Sequence, residues 1–421
     1  MRILWVKMGG LWPPTAGGRI RSLETLSCLS RRHEVTVLTT HGPDGDPDGL
    51  VRRLPSCRRI ISIPFVAPRV GSAPFAQALA RSWLSPLPVD LWKWRLDAVR
   101  TQAQALMDEG LVDVCVADFL VSVPNIPRSS HVPLVLFEHN IEYVIWRRLA
   151  ELERQPWKRA LLEIEWRKMR RYERASCATA DLTVAVSEDD RQRLEALAPS
   201  ARSVAIPTGV DTEYFKPRHG PEIPRRLVFT GSMDWYPNED AILYFTEAIL
   251  PTIRAEIPDV SVVVVGRQPS PQLRAAAEQA GIVVTGTVDD VRPYVDGAAV
   301  YIVPLRAGGG TRLKIFEALA MGKAVVSTTV GAEGLALTPG RDVLIADEPE
   351  AFARSVTALL REPARRHALG RAGRLLVEKR YSWEHVTEDF EACCQAALVD
   401  GGRPLRSGDV IPRAVPIQPN L

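Results

Sequence analysis

The sequence predicts an α/β protein with two doubly wound, Rossmann-like domains, each a parallel sheet covered by helices on both faces. Three observations lead to this prediction. The chain has 421 residues, which is more than one hydrophobic core usually serves. Short apolar runs alternate with segments of helical composition, as in successive βαβ units. This alternation stops at a proline-rich stretch without helical periodicity, residues 196–224, and then starts again.

The apolar runs give the strands in chain order. Each run is apolar at successive positions, which is typical of parallel strands buried on both faces. In the first domain the predicted strands are residues 3–6, 34–39, 113–117, 134–137 and 182–186. In the second domain they are residues 227–230, 260–265, 282–285, 299–303, 324–327 and 343–346.

These elements define the predicted organisation of the chain. An acceptor-side domain is followed by a linker, a nucleotide-binding domain, a closing helix and a loose tail. The predicted limits are residues 1–206, 207–224, 225–380, 381–400 and 401–421. Open parallel sheets bind ligands beyond the carboxyl ends of their strands, so we expect the two sheets to face a cleft that holds the site.

Composition excludes several classes of protein. The chain has 53 basic and 50 acidic side chains, a balance that does not indicate a nucleic-acid partner. Its six cysteines form neither a Cys-x-x-Cys pair nor a cluster with histidine, so we expect reduced thiols and no metal. The sequence has no signal peptide and no run of 18 apolar residues, which predicts a cytoplasmic protein that does not span a membrane.

The sharpest motif is PLRAGGGTRLKIFEALAMG, residues 304–322. It predicts a strand, a glycine turn and a helix that begins at a threonine. The glycines let a phosphate approach the backbone, and the first amides of the helix bind it. Two cations follow, and one turn into the helix a glutamate offers its carboxylate to a ribose diol. The residues of this predicted donor and catalytic site are Gly308, Gly309, Gly310, Thr311, Arg312, Lys314 and Glu317.

The alternatives are a glycine turn that only packs and a glutamate that is a solvated helix residue. The cations beside the turn favour the functional interpretation.

A second glycine turn follows the first strand. Gly17 and Gly18 open the first helix, where their amides are available to a donor phosphate or sugar. Arg21 lies one turn further on and is a candidate contact on the sugar or acceptor side. A simple turn is the alternative interpretation.

Three polar residues follow the strand at residues 134–137. They are Glu138, His139 and Asn140. A histidine at this edge can hydrogen-bond a sugar hydroxyl or take part in proton transfer. We therefore predict His139 as a catalytic residue and its two neighbours as acceptor-side contacts, with a structural histidine as the alternative.

Smaller signals follow three strands of the second sheet. Gly231 follows the first of these strands, and Arg267, which can bind phosphate, follows the second. The main chain near Val288, after the third, can pair with the edge of a nucleobase. Turns after strands carry glycine in any case, so a structural interpretation is open for each.

Taken together, the motifs resemble those of retaining glycosyltransferases of family 4, which have the GT-B fold. The resemblance extends over nearly the whole chain and is greatest for a bacterial branch associated with exopolysaccharide and envelope glycan synthesis. The motifs that carry it are EHNIEY at residues 138–143, AVSE at 185–188, PTGVD at 207–211, TGSMDWYPN at 230–238 and GGGTRLKIFEA at 308–318.

The resemblance implies a reaction and a set of roles. A nucleotide diphosphate-sugar is held mainly by the C-terminal domain and a glycan or lipid-linked acceptor by the N-terminal one, and transfer retains the anomeric configuration without a metal or cofactor. Glu317 matches the glutamate that holds the donor ribose. Gly17 and Gly18 match the turn beside the donor phosphate, and His139 matches the histidine beside the transferred sugar.

Two departures from the family pattern affect the donor site. Gly309 stands where the first glutamate of the family's pair is expected, and residues 232–238 lack the usual arginine and lysine. Other cations must then balance the charge of the diphosphate. We expect these to be Arg312 and Lys314, with Arg306 or Arg267 as further candidates. We expect a front-face attack by the acceptor hydroxyl, assisted by the departing phosphate.

Two other functions are open at this stage. A nucleotide-sugar epimerase uses the same two-sheet plan, and a non-catalytic nucleotide-sugar-binding or scaffold subunit also fits an altered motif.

Two segments are candidates for peripheral contact with the inner membrane. Residues 146–174 are rich in arginine with three interleaved tryptophans, and residues 69–97 hold three more. A solvated helix of mixed charge is the alternative for the first segment. For the second, the alternatives are an aromatic acceptor wall and a helix and loop packed on the sheet.

Overall fold

The computed structural model describes residues 1–14, 17–128, 131–218, 220–307 and 313–399. Its internal contacts divide the chain into two compact units. The N-terminal unit comprises Met1–Pro207 and the residues from Val386 onward, and the C-terminal unit is Thr208–His385. The predicted tail, residues 401–421, lies outside the described residues.

The N-terminal unit is built on a parallel sheet. Its strands are β1 (Arg2–Lys7), β2 (Glu34–His41), β3 (Arg59–Pro64), β4 (Val114–Asp118), β5 (Leu134–Phe137), β6 (Leu182–Ala185) and β7 (Ser203–Ala205). Within the described residues, seven strands pair in the order β3-β2-β1-β4-β5-β6-β7, all parallel. The direction of winding reverses between β1 and β4, the kind of position at which doubly wound sheets bind ligands.

The C-terminal unit repeats this plan. Its strands are β8 (Arg226–Thr230), β9 (Ser261–Val265), β10 (Val283–Val284), β11 (Val300–Val303), β12 (Ala324–Ser327) and β13 (Leu344–Ile345). In the part of the unit that the structure describes, these six strands pair in the order β10-β9-β8-β11-β12-β13, again all parallel. The winding reverses between β8 and β11.

Helices connect the strands of both units. Up to the end of the first sheet they are α1 (Gly17–Leu29), α2 (Pro47–Arg53), α3 (Ala73–Trp83), α4 (Val89–Trp92), α5 (Asp97–Asp108), α6 (Glu142–Leu152), α7 (Pro156–Thr179) and α8 (Glu188–Leu197). The remaining helices are α9 (Tyr236–Tyr244), α10 (Leu250–Glu256), α11 (Pro271–Gln279), α12 (Arg292–Asp296), α13 (Leu313–Ala320), α14 (Pro349–Arg361), α15 (Pro363–Arg380) and α16 (Trp383–Val399).

Local sequence sets several helix starts. The side chain of Ser187 accepts a hydrogen bond from the amide of Asp190 at the start of α8, whose first turn is acidic. Ser270 accepts from the amide of Leu273 in the same way at the start of α11. These caps satisfy amides that have no partner inside the helix, and the acidic first turn of α8 complements the helix dipole.

The last helix completes the core of the N-terminal unit. Along β1, Ile3 and Trp5 belong to one apolar cluster, whereas the alternate residues of the strand belong to another, so both faces of the sheet are covered. Phe390 of α16 is buried in the first cluster, with ring centroids 5.6 Å from Trp5 and 4.9 Å from Phe137. The prediction of a helix that closes the fold is confirmed.

Every strand predicted from the sequence is present, and two further strands were missed. These are β3 and β7, which lie at the two edges of the first sheet. β7 lies within residues 196–224, the proline-rich stretch in which the sequence indicated no strand. An edge strand pairs on one side only and is less completely buried, so its sequence shows a shorter or interrupted apolar run. Within the described ranges, no helix has the length and apolar character needed to cross a bilayer.

Candidate donor and sugar sites at the carboxyl ends of the sheets

A buried carboxylate occupies the point where the winding of the first sheet reverses. Lys7 and Asp118 end β1 and β4 and are register partners. The Nζ of Lys7 donates to Oδ1 of Asp118 at 2.9 Å, and Nε1 of Trp5 donates to Oδ2 at 2.8 Å. The Nε2 of His139, just beyond β5, lies 2.7 Å from Oδ1. Three side chains thus converge on one fully buried carboxylate.

Burial, together with the nearby charges, sets the protonation state of His139. Burial opposes ionisation of Asp118, but Lys7 and His139 together hold its pKa well below the usual range. Burial and the nearby Lys7 lower the pKa of His139 to about 4. His139 is therefore neutral at pH 7. Because Asp118 is ionised and accepts from Nε2, the proton of the imidazole lies on Nε2 and Nδ1 carries a lone pair.

The structure brings His139 and Gly18 together. A Cβ on Gly18 would lie 3.7 Å from Cγ and 3.8 Å from Nδ1 of His139, so the ring packs against the start of α1. The ring also contacts Phe119 and Phe137, with centroids 5.1 and 5.0 Å away. Nδ1 has no hydrogen-bond partner among the described residues. It is therefore available to a hydroxyl that approaches beside Gly17 and Gly18.

Arg21 and Glu138 are both buried in the N-terminal unit, and Arg21 is hydrogen-bonded to its main chain. The guanidinium of Arg21 donates to the main-chain oxygens of Glu138 and Ile206, both at 2.7 Å, and stacks on Phe137. The carboxyl of Glu138 is buried without a described partner, and burial together with Glu173 raises its pKa well above the usual range. These bonds support the loop after β5. Acceptor contacts by Arg21 and Glu138, and by the half-buried Asn140, stay predictions.

In the C-terminal unit, the backbones of the loops after β8 and β9 cross in close contact and are joined by hydrogen bonds. A Cβ on Gly266 would lie 1.7 Å from the carbonyl oxygen of Gly231, closer than any side chain allows. The amide of Gly231 donates to Val265, and the amide of Met233 donates to Arg267. Glycine is therefore required at position 266 for the two loops to cross.

Lys314 reaches this crossing from α13. Its Nζ donates to Oδ1 of Asn238 at 2.7 Å and lies 4.1 Å from the centre of the Phe229 ring. Asn238, in the first turn of α9, in turn donates to the carbonyl of Ser232 at 2.8 Å. A Cβ on Gly231 would lie 2.7 Å from the Lys314 Nζ. The stretch 232–238, which lacks its own cation, thus receives one from another helix.

Glu317 lies one turn further along α13, on the same face as Lys314. Its side chain is half-buried. Burial raises its pKa to about 7, against the opposing effect of Lys314. The carboxyl therefore titrates near neutral pH, and its ionised form can accept two hydrogen bonds from a diol.

Arg267 and Arg306, the further candidates for binding the diphosphate, differ in position. Arg267 donates from Nε to Oγ of Ser232 at 2.6 Å, so it lies at the loop after β8. Arg306 is paired with Asp240 at 2.6 Å and stacks on Tyr244, both in α9. Arg267 also pairs with Asp234 at 3.4 Å, and its contact with Ser232 puts it next to Gly231 in the chain, where a phosphate is expected.

The remaining predicted donor residues divide into two groups. No hydrogen bond to the main chain of Val288 occurs among the described residues, so its peptide groups can meet a base edge. Gly308, Gly309, Gly310, Thr311 and Arg312 lie outside the described residues.

In the parts of the chain that the structure describes, no three histidine, cysteine, aspartate or glutamate side chains are grouped so as to hold a metal ion.

Sequence reasoning missed three members of these sites. They are Lys7, Asp118 and Asn238. Lys7 and Asp118 are the last residues of buried strands, and a search for charged residues at those positions would have found them. The bond between Asn238 and Lys314 joins residues far apart in the chain, and no local pattern indicates it.

Two family models match the chain, one in each half. The model described as "Glycosyltransferase Family 4" matches residues 17–214, and the model described as "Glycosyl transferases group 1" matches residues 224–362. Together they include the predicted sites of both units.

Curated relatives are similar over different lengths. A protein of Klebsiella pneumoniae named "Uncharacterized 44.6 kDa protein in cps region" is 20% identical over 84% of this chain and 90% of its own length. The phosphatidyl-myo-inositol mannosyltransferase of Mycobacterium tuberculosis is 31% identical over 239 residues. That match spans 52% of this chain and 61% of the length of the relative.

Solved structures share the fold over almost the whole chain. The sucrose-phosphate synthase of Thermosynechococcus elongatus has a TM-score of 0.67 at 17% identity and covers 95% of this chain and 100% of its own. Anabaena Alr3699/HepE, solved with UDP and glucose, has a TM-score of 0.61 at 14% identity and covers 94% and 100%. Given the two parallel-sheet units and both family matches, the chain is a family 4-like glycosyltransferase with the GT-B fold.

Proposed function

We propose that the protein moves a hexose from a nucleotide diphosphate-sugar to a glycan or lipid-linked acceptor, with retention of anomeric configuration, in the synthesis of a bacterial surface polysaccharide. The observation that carries this proposal is the group formed by Gly231, Lys314 and Glu317. At Gly231, two loops cross at glycine residues and leave room for a phosphate. Lys314 is held in place by Asn238, and the carboxyl of Glu317 can accept two hydrogen bonds from a diol.

The nucleotide diphosphate binds to the C-terminal unit in this proposal. Lys314 meets the diphosphate near Gly231, with Arg267 and Arg312 as further cations. Because Asn238 already holds Lys314 in place, the positive charge needs no rearrangement when the leaving group gains negative charge. Glu317 accepts hydrogen bonds from the ribose, and the main chain of Val288 meets the base. UDP in the HepE structure supports a nucleotide as the donor.

His139 acts on the transferred sugar as a neutral hydrogen-bond acceptor. Its Nε2 proton is committed to Asp118, so Nδ1 accepts from a sugar hydroxyl. With a pKa of about 4, His139 is almost never in its protonated form at neutral pH, so it does not serve as a general acid. The proton of the acceptor hydroxyl passes instead to the departing phosphate oxygen as the new glycosidic bond forms and the bond to phosphate breaks.

Asp118 does not serve as a nucleophile in this scheme. It is fully buried and bonded to Trp5, Lys7 and His139, so no free oxygen faces a substrate. Attack by the acceptor hydroxyl on the face from which the phosphate leaves therefore accounts for retention without a covalent intermediate.

The names of the relatives support the biological setting. The Klebsiella relative is named for the cps region, and the mycobacterial relative acts on phosphatidyl-myo-inositol, a lipid. We place the protein at the cytoplasmic face of the inner membrane, because the cytoplasm is reducing and none of the six cysteines, all of which the structure describes, is in a disulfide.

Thermal-shift measurements against a panel of nucleotide diphosphates and nucleotide sugars test the donor site. A ligand present at 100 times its Kd stabilises the native state by about 2.7 kcal/mol, which raises the melting temperature. We expect one nucleotide family to give this shift, Glu317→Ala to lose it, and Glu278→Ala, at an exposed position on α11, to keep it.

Two outcomes would contradict the proposal. No shift for any nucleotide would remove the donor site, and binding without turnover across a broad acceptor panel would indicate a non-catalytic subunit. NMR of the product decides the stereochemistry separately, since an inverted anomeric centre would exclude front-face attack.

A further inference from the structure

Phe119 follows β4 with a backbone conformation that suits glycine. Its φ is 78° and its ψ 150°, at the point where the strand passes into a 3₁₀ helix, Leu120–Asn125. Residues with a side chain rarely adopt this region, because the Cβ meets the neighbouring backbone. Among the described residues, two others that are not glycine have positive φ, Arg225 at 61° and Gln268 at 52°. Both φ values are typical of the left-handed helical region, and both side chains are exposed, whereas that of Phe119 is half-buried.

Main-chain hydrogen bonds on both sides hold Phe119 in this conformation. Its amide donates to the carbonyl of Phe137 at 2.9 Å, and its carbonyl accepts from the amide of Ser122 at 2.9 Å. The hydroxyl of Ser122 donates to the carbonyl of Asp118 at 2.7 Å and accepts from the amide of Met8 at 3.2 Å. The surrounding structure therefore imposes the conformation, and the chain has a phenylalanine where glycine would be free of strain.

The ring of Phe119 packs on the polar network of the site. Its centroid lies 5.1 Å from that of the His139 imidazole, with 34° between the two planes, and 5.3 Å from Nζ of Lys7. The apolar clusters of the N-terminal unit, within the described residues, do not include Phe119. Burial in the core therefore does not explain a large side chain at this strained position, and its contacts with His139 and Lys7 do.

A hydrogen bond and a packed ring constrain the imidazole of His139 in different ways. The bond from Nε2 to Asp118 fixes one corner of the ring but permits the ring to tilt about that corner. The ring of Phe119 resists this tilt, because it packs across the imidazole at a small angle. Phe137 meets the imidazole at 71° and so constrains a second direction. The three contacts together set the direction in which Nδ1 points.

We propose that Phe119 is a positioning residue for His139, held by a strained backbone so that its ring fixes the plane of the imidazole and shields Lys7 from water. The lone pair of Nδ1 then points in one direction, beside Gly18, where a hydroxyl can meet it. Backbone strain of this kind is found at functional sites, where the surrounding structure maintains it. The inference deepens the proposed function and rests on it, since Nδ1 accepts there from a hydroxyl of the transferred sugar.

Melting temperatures test the strain. Glycine adopts the conformation freely, so relief of strain in Phe119→Gly offsets the loss of the half-buried ring. We expect a melting temperature within about 2 °C of that of the unaltered chain. The matched control is Phe65→Gly, because Phe65 is also half-buried and packs on Trp94 at 5.6 Å, but does not have a positive φ. This control should melt at least about 4 °C lower, since it loses a ring without relief of strain.

The ionisation of His139 tests the positioning without any donor. Burial and Lys7 lower its pKa to about 4, Arg21 of α1 acts in the same direction, and Asp118 opposes them. In the unaltered chain, ¹⁵N NMR of labelled histidine should show a neutral ring with its proton on Nε2 at about pH 5.5. In Phe119→Gly, water reaches the ring, and the midpoint of its titration should move up by at least about one pH unit. His139→Gln identifies the signal among those of the seven histidines.

Turnover separates positioning from a purely structural role. The probes are UDP-glucose and GDP-mannose, whose slow hydrolysis gives kcat, and calorimetry gives the affinity for UDP and GDP. Phe119→Gly and Phe119→Leu should lower kcat at least about tenfold, because His139 no longer holds one orientation. The affinity for UDP or GDP, which bind to the C-terminal unit in the proposed function, should not change. Phe119→Tyr keeps the ring and should restore kcat.

Three outcomes would overturn the role of Phe119. A loss of melting temperature equal to that of Phe65→Gly would make its ring an ordinary packing group. An unchanged titration of His139 in Phe119→Gly would show that the ring neither holds nor shields the imidazole, and an unchanged kcat would show that turnover does not need the ring. If neither UDP nor GDP binds to the unaltered chain, the donor site of the proposed function fails, and the titration of His139 still decides the role of Phe119.

Discussion

The two candidate sites use charge in opposite ways. In the N-terminal unit, Lys7 and Asp118 form a buried ion pair, and burial together with Lys7 lowers the pKa of His139 so that its ring is neutral at pH 7. In the C-terminal unit, Lys314 and Glu317 are only half-buried, and Glu317 titrates near pH 7. The first arrangement fixes the orientation of one ring. The second leaves a carboxyl whose ionisation a ligand can change.

The largest expected effect tests the buried pair. Asp118→Ala leaves Lys7 buried without its carboxylate and should lower the free energy of unfolding by about 3–5 kcal/mol. Glu317→Ala removes a half-buried group and should cost less than about 1 kcal/mol. Urea denaturation of both variants measures the difference. Equal losses in the free energy of unfolding would contradict the contrast between Asp118 as a structural group and Glu317 as a ligand-binding group.

The next effect concerns the pH dependence of stability. His139 binds a proton near pH 6.5 when unfolded but only near pH 4 in the fold, so the unfolded state holds more protons between these values. The contribution of His139 to the free energy of unfolding should therefore fall by about 3 kcal/mol as the pH is lowered through this window, whereas glutamates with a raised pKa, such as Glu138 and Glu317, contribute in the opposite direction. His139→Gln should lose this dependence, while His367→Gln, at an exposed position, should keep it. An unchanged profile for His139→Gln would assign the titration to another group.

The smallest effect concerns donor binding. With a pKa of about 7, Glu317 is mostly protonated at pH 6 and mostly ionised at pH 8. Since a ribose diol needs the ionised form, affinity for a nucleotide sugar should rise about tenfold from pH 6 to pH 8. Calorimetry at the two values measures this change.

Two variants sharpen the test of Glu317. Glu317→Gln should bind weakly and without pH dependence, and Glu278→Gln should follow the unaltered chain. A pH-dependent Glu317→Gln would place the titrating group elsewhere.

The sequence predicted the sheets well because parallel strands that are buried on both faces are apolar at most positions. It missed β3 and β7, since edge strands are only partly covered. The places of Gly18, His139 and Gly231 followed from the rule that ligands bind beyond the carboxyl ends of parallel strands.

Other features of the sites depend on contacts that no local pattern encodes. The bond between Lys7 and Asp118 requires the register of strands 111 residues apart. Arg21 and Glu138 are polar residues of the kind expected at a surface, yet both are buried. Their partners are visible only in the folded unit.

The position of Phe390 has a consequence for how the chain is made. This ring covers Trp5, the same residue that donates to Asp118, so the first strand obtains a core partner from the last described helix. A ribosome releases residues 208–385 before it releases Phe390. The C-terminal unit can therefore be complete first, whereas the N-terminal unit, although residues 1–207 are made earlier, completes its core only after Phe390 has been made.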